Sequence, residues 1–174
     1  MADLTRFGIK EVADVAFYAL NPKGEPVGEP VLVFDTLKVS NIEFTAEQAE
    51  ARGGKGNAPL IIWDYGREIN VTLEDALLSM DTLALMFEDD ATGGTDGIII
   101  SANTFPGTYY VEGKTYARNE EDGKDHLLTF KIFKAKIQSE VTLTMEAEGD
   151  PTVFGMNLRV LRNSDGQMMS LERE

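Results

Sequence analysis

Apolar side chains recur at every second residue along the first stretch of the chain. Phe7, Ile9, Ala13, Val15, Phe17 and Ala19 share one parity, while Lys10 and Asp14 fall on the other. That period predicts a half-buried strand over 7–20, with Glu11 as its one misfit. The turn formers of Asn21-Pro22-Lys23-Gly24-Glu25-Pro26 end it, and a second extended region starts at Val31-Leu32-Val33-Phe34 and runs to Phe44. The two form a hairpin with a long connection. Leu60-Ile61-Ile62-Trp63 is a continuous apolar run; beyond it Ile69, Val71 and Leu73 alternate with Glu68, Asn70 and Thr72. Two strands flanking a Tyr65-Gly66-Arg67 turn fit this pattern, with the lone Trp63 as a core anchor.

A period of three to four follows. Leu73, Ala76, Leu77, Met80, Ala84 and Phe87 form a stripe, and Thr72 with Asp75 matches the [ST]-x-x-[DE] capping pattern. Ser79 can cap a second helix over 81–87. A helical segment over about 73–88 is expected, as a short helix, a break and a longer helix.

Strands return over Ile98–Asn103, Thr108–Arg118 and Leu127–Gln138, with a charged turn at Asn119–Asp125. In the last of these the apolar parity changes from Leu128, Phe130 and Ile132 to Phe133, Ala135 and Ile137. A β-bulge at Ile132-Phe133 accounts for the change, since one extra residue moves every later side chain to the other face. Val141, Leu143, Met145 and Ala147 alternate up to a stop at Gly149-Asp150-Pro151, and Phe154, Met156, Leu158 and Val160 make the next strand. Asp165-Gly166 is a hairpin turn returning the chain through Met168–Leu171. No repeat of 20 to 50 residues is visible. The sum is a mainly β domain, a β-sandwich or distorted barrel with one flanking helical segment, spanning 1–174 as a single unit. Its long strands leave unpaired edges unless the sheet closes or pairs with another copy.

Charge and composition narrow the chemistry. The 174 residues carry 30 acidic and 16 basic side chains, a net −14, which disfavours general binding to a phosphate backbone. Zero cysteines exclude disulfides, thiolate metal sites and cysteine nucleophiles. Residues 1–6 precede no long apolar stretch, and no run approaches the roughly 20 residues that span a bilayer, so a soluble product made in the cytoplasm is expected. Arg52-Gly53-Gly54-Lys55-Gly56-Asn57 looks like a phosphate loop but lacks the G-x-x-x-x-G-K-[ST] order between strand and helix, and a flexible connection is favoured. Glu88-Asp89-Asp90 with the glycines of 92–97, and the Asn119–Asp125 turn, both miss the spacing of a calcium loop and read as solvated acidic surface. The three carboxylates at 88–90 oppose a helix macrodipole. His126 has no partner motif, and no cofactor, metal or catalytic set is expected. Two other classes stay open: a carbohydrate-binding or adhesion module with Tyr109, Tyr110 and Tyr116 as an aromatic platform, and a hydrolase drawing an acid pair from Glu120, Glu121 or Asp89.

The stretches "TAEQAEARGGKGNAP", "VTLEDALLSMDTLALMFE" and "GDPTVFGMNLRVLRNSDGQMM", in that order, resemble the tail tube (major tail) proteins of tailed bacteriophages across nearly the whole chain. The tubes of contractile injection machines and type VI secretion systems share that design. The resemblance implies a non-enzymatic virion protein, made in the host cytoplasm, whose hexameric rings stack into a tube that conducts DNA into the host. Its partners would be other copies of itself, tape measure, tail completion and baseplate or tip components, and DNA in transit without tight binding. A tailocin or a protein-secretion device would use the same subunit.

Position in that family assigns an assembly role to a long loop at about 45–59, with Arg52, Gly53, Gly54, Lys55, Gly56 and Asn57 reaching an adjacent ring. An acidic lumen would keep DNA from adhering to the wall. The candidate lumen face is Glu140, Thr142, Thr144, Glu146 and Glu148, although alternation serves an outer solvent face equally well.

Overall fold

The computed structural model describes residues 6–87, 97–138 and 154–173. Within them the chain forms β1 (Phe7–Leu20), β2 (Pro26–Phe34), β3 (Leu37–Gly53), β4 (Ala58–Asp75), α1 (Met80–Phe87), β5 (Thr108–Asn119), β6 (Asp125–Ile137), β7 (Phe154–Val160) and β8 (Met169–Arg173). All pairings are antiparallel, in the order β2-β1-β5-β6-β7-β4-β3, with β8 added to β6. The sheet curls until β3 approaches β1, but no ladder joins them, so the mainly β expectation holds as an open, sandwich-like sheet. One core fills the curl: Val15, Phe17, Val111 and Ile132 face Val71, Leu73, Met156 and Leu158, with Leu85 and Met86 of α1 against them.

Local irregularities follow from the sequence. The β1–β5 register slips between Ile9 and Glu11, which is where the parity of the first strand fails. In β6 the ladder passes from Tyr109↔Ala135 to Val111↔Ile132, leaving one extra residue at Phe133-Lys134. Phe130 and Ile132 are buried before it and Ala135 and Ile137 after it, as the change of parity requires.

That bulge also divides the sheet. β7 pairs with β6 at Ala135–Ile137 and β8 pairs with β6 at Leu128–Ile132, so both run along one edge in the same direction. Asp165-Gly166 therefore does not make the hairpin expected of it. Residues 161–168 loop out between the two strands, closed by Asn163, whose Oδ1 accepts from the N–H groups of Asp165 (3.0 Å) and Gln167 (2.8 Å). Phe133 and Lys134 clamp its ends, through Phe133 N–H to Met168 O (3.2 Å) and Leu161 N–H to Lys134 O (2.8 Å).

The helix is shorter than its apolar stripe. Residues 73–75 belong to β4, because the pair expected to cap a helix there is used by the sheet: Thr72 donates to Asn157 of β7 (3.0 Å), and buried Asp75 accepts from the Thr36 hydroxyl. Ser79 is the actual N-cap, its Oγ accepting from Thr82 N–H at 3.0 Å. The expected strand at Ile98–Asn103 is irregular; Ile99 is 82% exposed, and a β-branched run forms no strand without an edge to pair with.

Candidate assembly surface

The expected loop at 45–59 is a β-hairpin. β3 and β4 pair continuously out to Gly53↔Ala58, so only Gly54–Asn57 turns. Gly54 (φ 77°), Gly56 (φ 88°) and Asn57 (φ 50°) sit in the left-handed region, and Asn57 N–H closes on Gly54 O at 3.2 Å. The glycines thus serve a tight tip. Tyr65-Gly66-Arg67, expected to be a turn between strands, is a bulge within β4, with Gly66 at φ 60° and the ladder stepping from Thr45↔Glu68 to Glu47↔Tyr65.

Beyond that bulge the hairpin leaves the body as a two-stranded arm. Every residue of β4 from Ala58 to Glu68 is exposed, whereas Ile69, Val71 and Leu73 are in the core. The extra residue at Gly66-Arg67 puts Ile61, Trp63 and Tyr65 on the same side as Glu68, Asn70 and Thr72, the outer side of the sheet. Opposite them in β3 stand Ala51, Ala49 and Glu47, too small or too polar to cover them. Ile61, Trp63 and Tyr65 are each 53% exposed. Trp63 is therefore an arm residue rather than the core anchor its size suggests. At roughly 100 Å² of uncovered surface each, the three form a patch as large as the biggest on many monomers. The other face is mixed: Leu60 and Ile62 sit among Glu50, Gln48 and Asp64, with Gln48 Nε2 donating to Asp64 Oδ1 at 2.8 Å.

Of the assembly residues named from sequence, Arg52 and Gly53 end β3 and Gly54, Lys55, Gly56 and Asn57 form the tip. Arg52 lies on Glu50 of its own strand, Nε to Oε2 at 2.6 Å, so its charge is already engaged, while Lys55 is exposed. Glu88, Asp89 and Asp90, and Glu140, Thr142, Thr144, Glu146 and Glu148, lie outside the described residues. The tyrosines make no platform. Tyr109 is in the core beside Phe17, its neighbour Tyr110 points to the other face and is buried against Tyr18 and Glu112, and Tyr116 is 40% exposed with no ring partner among the described residues. Burial, and then the Glu112 carboxylate, push the Tyr110 phenol up, so it stays a neutral hydrogen-bond donor. In the Asn119–Asp125 turn, His126 Nε2 stands 3.5 Å from Asp122 Oδ2, and Glu120 reaches Arg6 at 3.7 Å. Among the described residues no three His, Cys, Asp or Glu side chains gather as a metal site, and no helix is long and apolar enough to cross a membrane.

The arm's base borders a second uncovered feature. Where β7 ends and the 161–168 loop leaves, β4 and β8 separate as the prongs of a fork. Two hollows of about 390 and 300 Å³ lie there, sharing Phe44, Met169 and Leu171 as walls. Sequence reasoning missed the fork, because it depends on β8 pairing with β6.

An open sheet whose longest hairpin carries uncovered apolar side chains away from the body defines a structural subunit built to be joined to others. The sequence matches the model of the YomU/Tube protein family in two segments, residues 7–94 and 88–171. The chain belongs to that family, a phage-derived family of structural tube proteins. No curated protein matches the sequence.

Proposed function

We propose that this chain is the tail tube subunit of a tailed bacteriophage, assembling into hexameric rings that stack as the conduit for DNA ejection. The observation that carries the reading is the arm. A two-stranded ribbon is marginal in water by itself, and Ile61, Trp63 and Tyr65 leave roughly 300 Å² of apolar surface, a patch of the size that on many proteins marks a contact site. Among the described residues β2 and β3 are the ends of the sheet, and their outer edges add backbone groups that neighbouring copies can pair.

The net charge of −14 suits a wall past which DNA must slide, since a basic lining would hold it by counterion release. Glu140, Thr142, Thr144, Glu146 and Glu148 remain our proposal for that lining. Changing Glu146 and Glu148 to lysine should slow DNA delivery with tubes intact; unchanged infectivity would remove the assignment. Tape measure, completion and tip proteins would meet the ends of the tube, and a tailocin or secretion device would employ the same subunit with a different passenger. Buried Tyr109 and Tyr110 weigh against the carbohydrate-binding alternative.

Negative-stain microscopy with sedimentation velocity over a concentration series tests the reading. Rings or hollow tubes are expected, and a chain that stays monomeric throughout refutes it. In the same assay Arg52→Glu with Lys55→Glu should give rings that stack poorly; long tubes from that variant would detach the tip from inter-ring contact.

A further inference from the structure

We propose that the fork between the arm base and β8 is the socket for the arm of a second copy of this chain, with Ile61, Trp63 and Tyr65 as the inserted side chains. The inference rests on the self-assembly reading above and names the surface that receives the arm.

The socket is apolar and open. Phe44 (61% exposed) and Leu171 (50%) stand at its mouth with Ile9 (58%), and Met169 and Ile69 lie deeper. Its two adjoining hollows, about 390 and 300 Å³, fall in the size range that takes a drug-sized ligand, which is the bulk of two or three large side chains. Its backbone offers an edge as well. Among the described residues β8 forms a ladder only with β6, so its outer edge over 169–172 can accept an added strand. The arm offers a matching piece: five residues, Ile61–Tyr65, whose own outer edge has no ladder partner among the described residues.

The chain cannot fill its own socket with this face. The Gly66-Arg67 bulge sets Ile61, Trp63 and Tyr65 on the outer side of the ribbon, opposite the side on which Phe44 and Ile69 line the hollows. Charge favours another copy as the occupant. Arg67 lies at the rim of the larger hollow, and Glu47 stands beside Tyr65 on the incoming face. Arm and socket are different surfaces, so the contact is head to tail and propagates into a ring or a filament instead of ending at a two-fold dimer.

The absence of cysteine makes cross-linking clean. The full chain carrying Trp63→Cys and Leu171→Cys, treated with a short bismaleimide after assembly, should give a ladder of three or more linked chains, whereas either single variant stops at two. Assembled protein that yields no such ladder overturns the socket while leaving self-assembly standing. Wild-type chain that never assembles overturns both.

A second pair of variants uses only exposed positions, with circular dichroism to confirm folding. Ile61→Asp/Trp63→Asp removes the arm, and Phe44→Asp/Leu171→Asp removes the socket. Each should remain monomeric alone, and their equimolar mixture should form a complex of two chains. A socket variant that assembles like wild type, or a mixture that stays monomeric, refutes the inference.

Discussion

Gly113 faces Phe130 across the β5–β6 ladder, and the phenyl ring occupies the space a side chain there would need. A Cβ built on Gly113 would meet Cζ at 2.0 Å, Cε1 at 2.4 Å and Cε2 at 2.7 Å. The backbone is no obstacle, since Gly113 is not among the residues with positive φ. Alanine in a strand gains about 0.5–1 kcal/mol over glycine for entropic reasons. Against that stands an overpacking cost of about 1–3 kcal/mol. Phe130 also walls the smaller hollow, so its ring can swing toward open space, which caps the penalty. Gly113→Ala should therefore destabilise by a net of about 1–2 kcal/mol, lowering the thermal midpoint by roughly 2–8 °C in a domain of this size. In the Phe130→Leu background the collision is largely gone, and the same substitution should be neutral or stabilising by about 0.5 kcal/mol. The coupling energy is then about 2 kcal/mol. Urea titration of the four members of this cycle measures it, with the arm's Ile61→Asp/Trp63→Asp changes present throughout to keep the chain monomeric. Equal costs for Gly113→Ala in the two backgrounds would refute the argument that the ring and the glycine share one space.

Two further outcomes follow from single contacts. Ser79→Ala removes the acceptor for Thr82 N–H and should cost about 1 kcal/mol, with Ser79→Asp close to wild type in the same denaturation assay. Acid should loosen the β6–β8 pairing and the β5–β6 turn. The Lys131 ammonium, 2.5 Å away, holds the Glu172 carboxyl below its usual range, and the N–H of Lys124 does the same for Asp122. Groups depressed in the folded state contribute fully above their unfolded pKa of about 4 and lose that contribution as pH falls through the folded value. The thermal midpoint should drop as pH is lowered from about 5 toward 3, less steeply in Glu172→Gln; a wild-type midpoint that rises on acidification would contradict this.

Period-two patterning carried far where one face is buried. β1 and β5 begin at the residues their alternation marks, and the change of parity at Ile132-Phe133 located the bulge in β6 to within a residue or two. What it could not convey is partner choice. Asp165-Gly166 has the composition of a hairpin turn, yet β8 joins β6, because the bulge ends the β7 ladder and leaves the rest of that edge open. Thr72 and Asp75 spell a helix cap, but β7 and Thr36, far away in sequence, claim both side chains for the sheet. Gly66 in the left-handed region serves a turn or a bulge equally, and only its neighbours' pairing decides between them.

The arm is the sharpest case, and its sequence implies how it behaves alone. Glu47, Ala49, Glu50 and Ala51 are of residue types depleted in strands, so this half of β3 has little tendency of its own to extend. Its conformation comes from the ladder to Ile61–Tyr65, and among the described residues that ladder has no third strand and no core beneath it. Such a ribbon opens at little cost in a lone subunit. In the proposed assembly a second copy would cover Trp63 and supply the missing partner, and the arm should then gain order. Hydrogen exchange tests this directly: amides of Glu47–Gly53 and Ala58–Tyr65 should exchange fast in dilute monomer and slow by at least about tenfold in assembled material. Amides of Val111 and Ile132 in the core should change little. Arm amides already as protected in the monomer as those of the core would mean that the ribbon is stable by itself, and the physical reason for assigning it to assembly would fall.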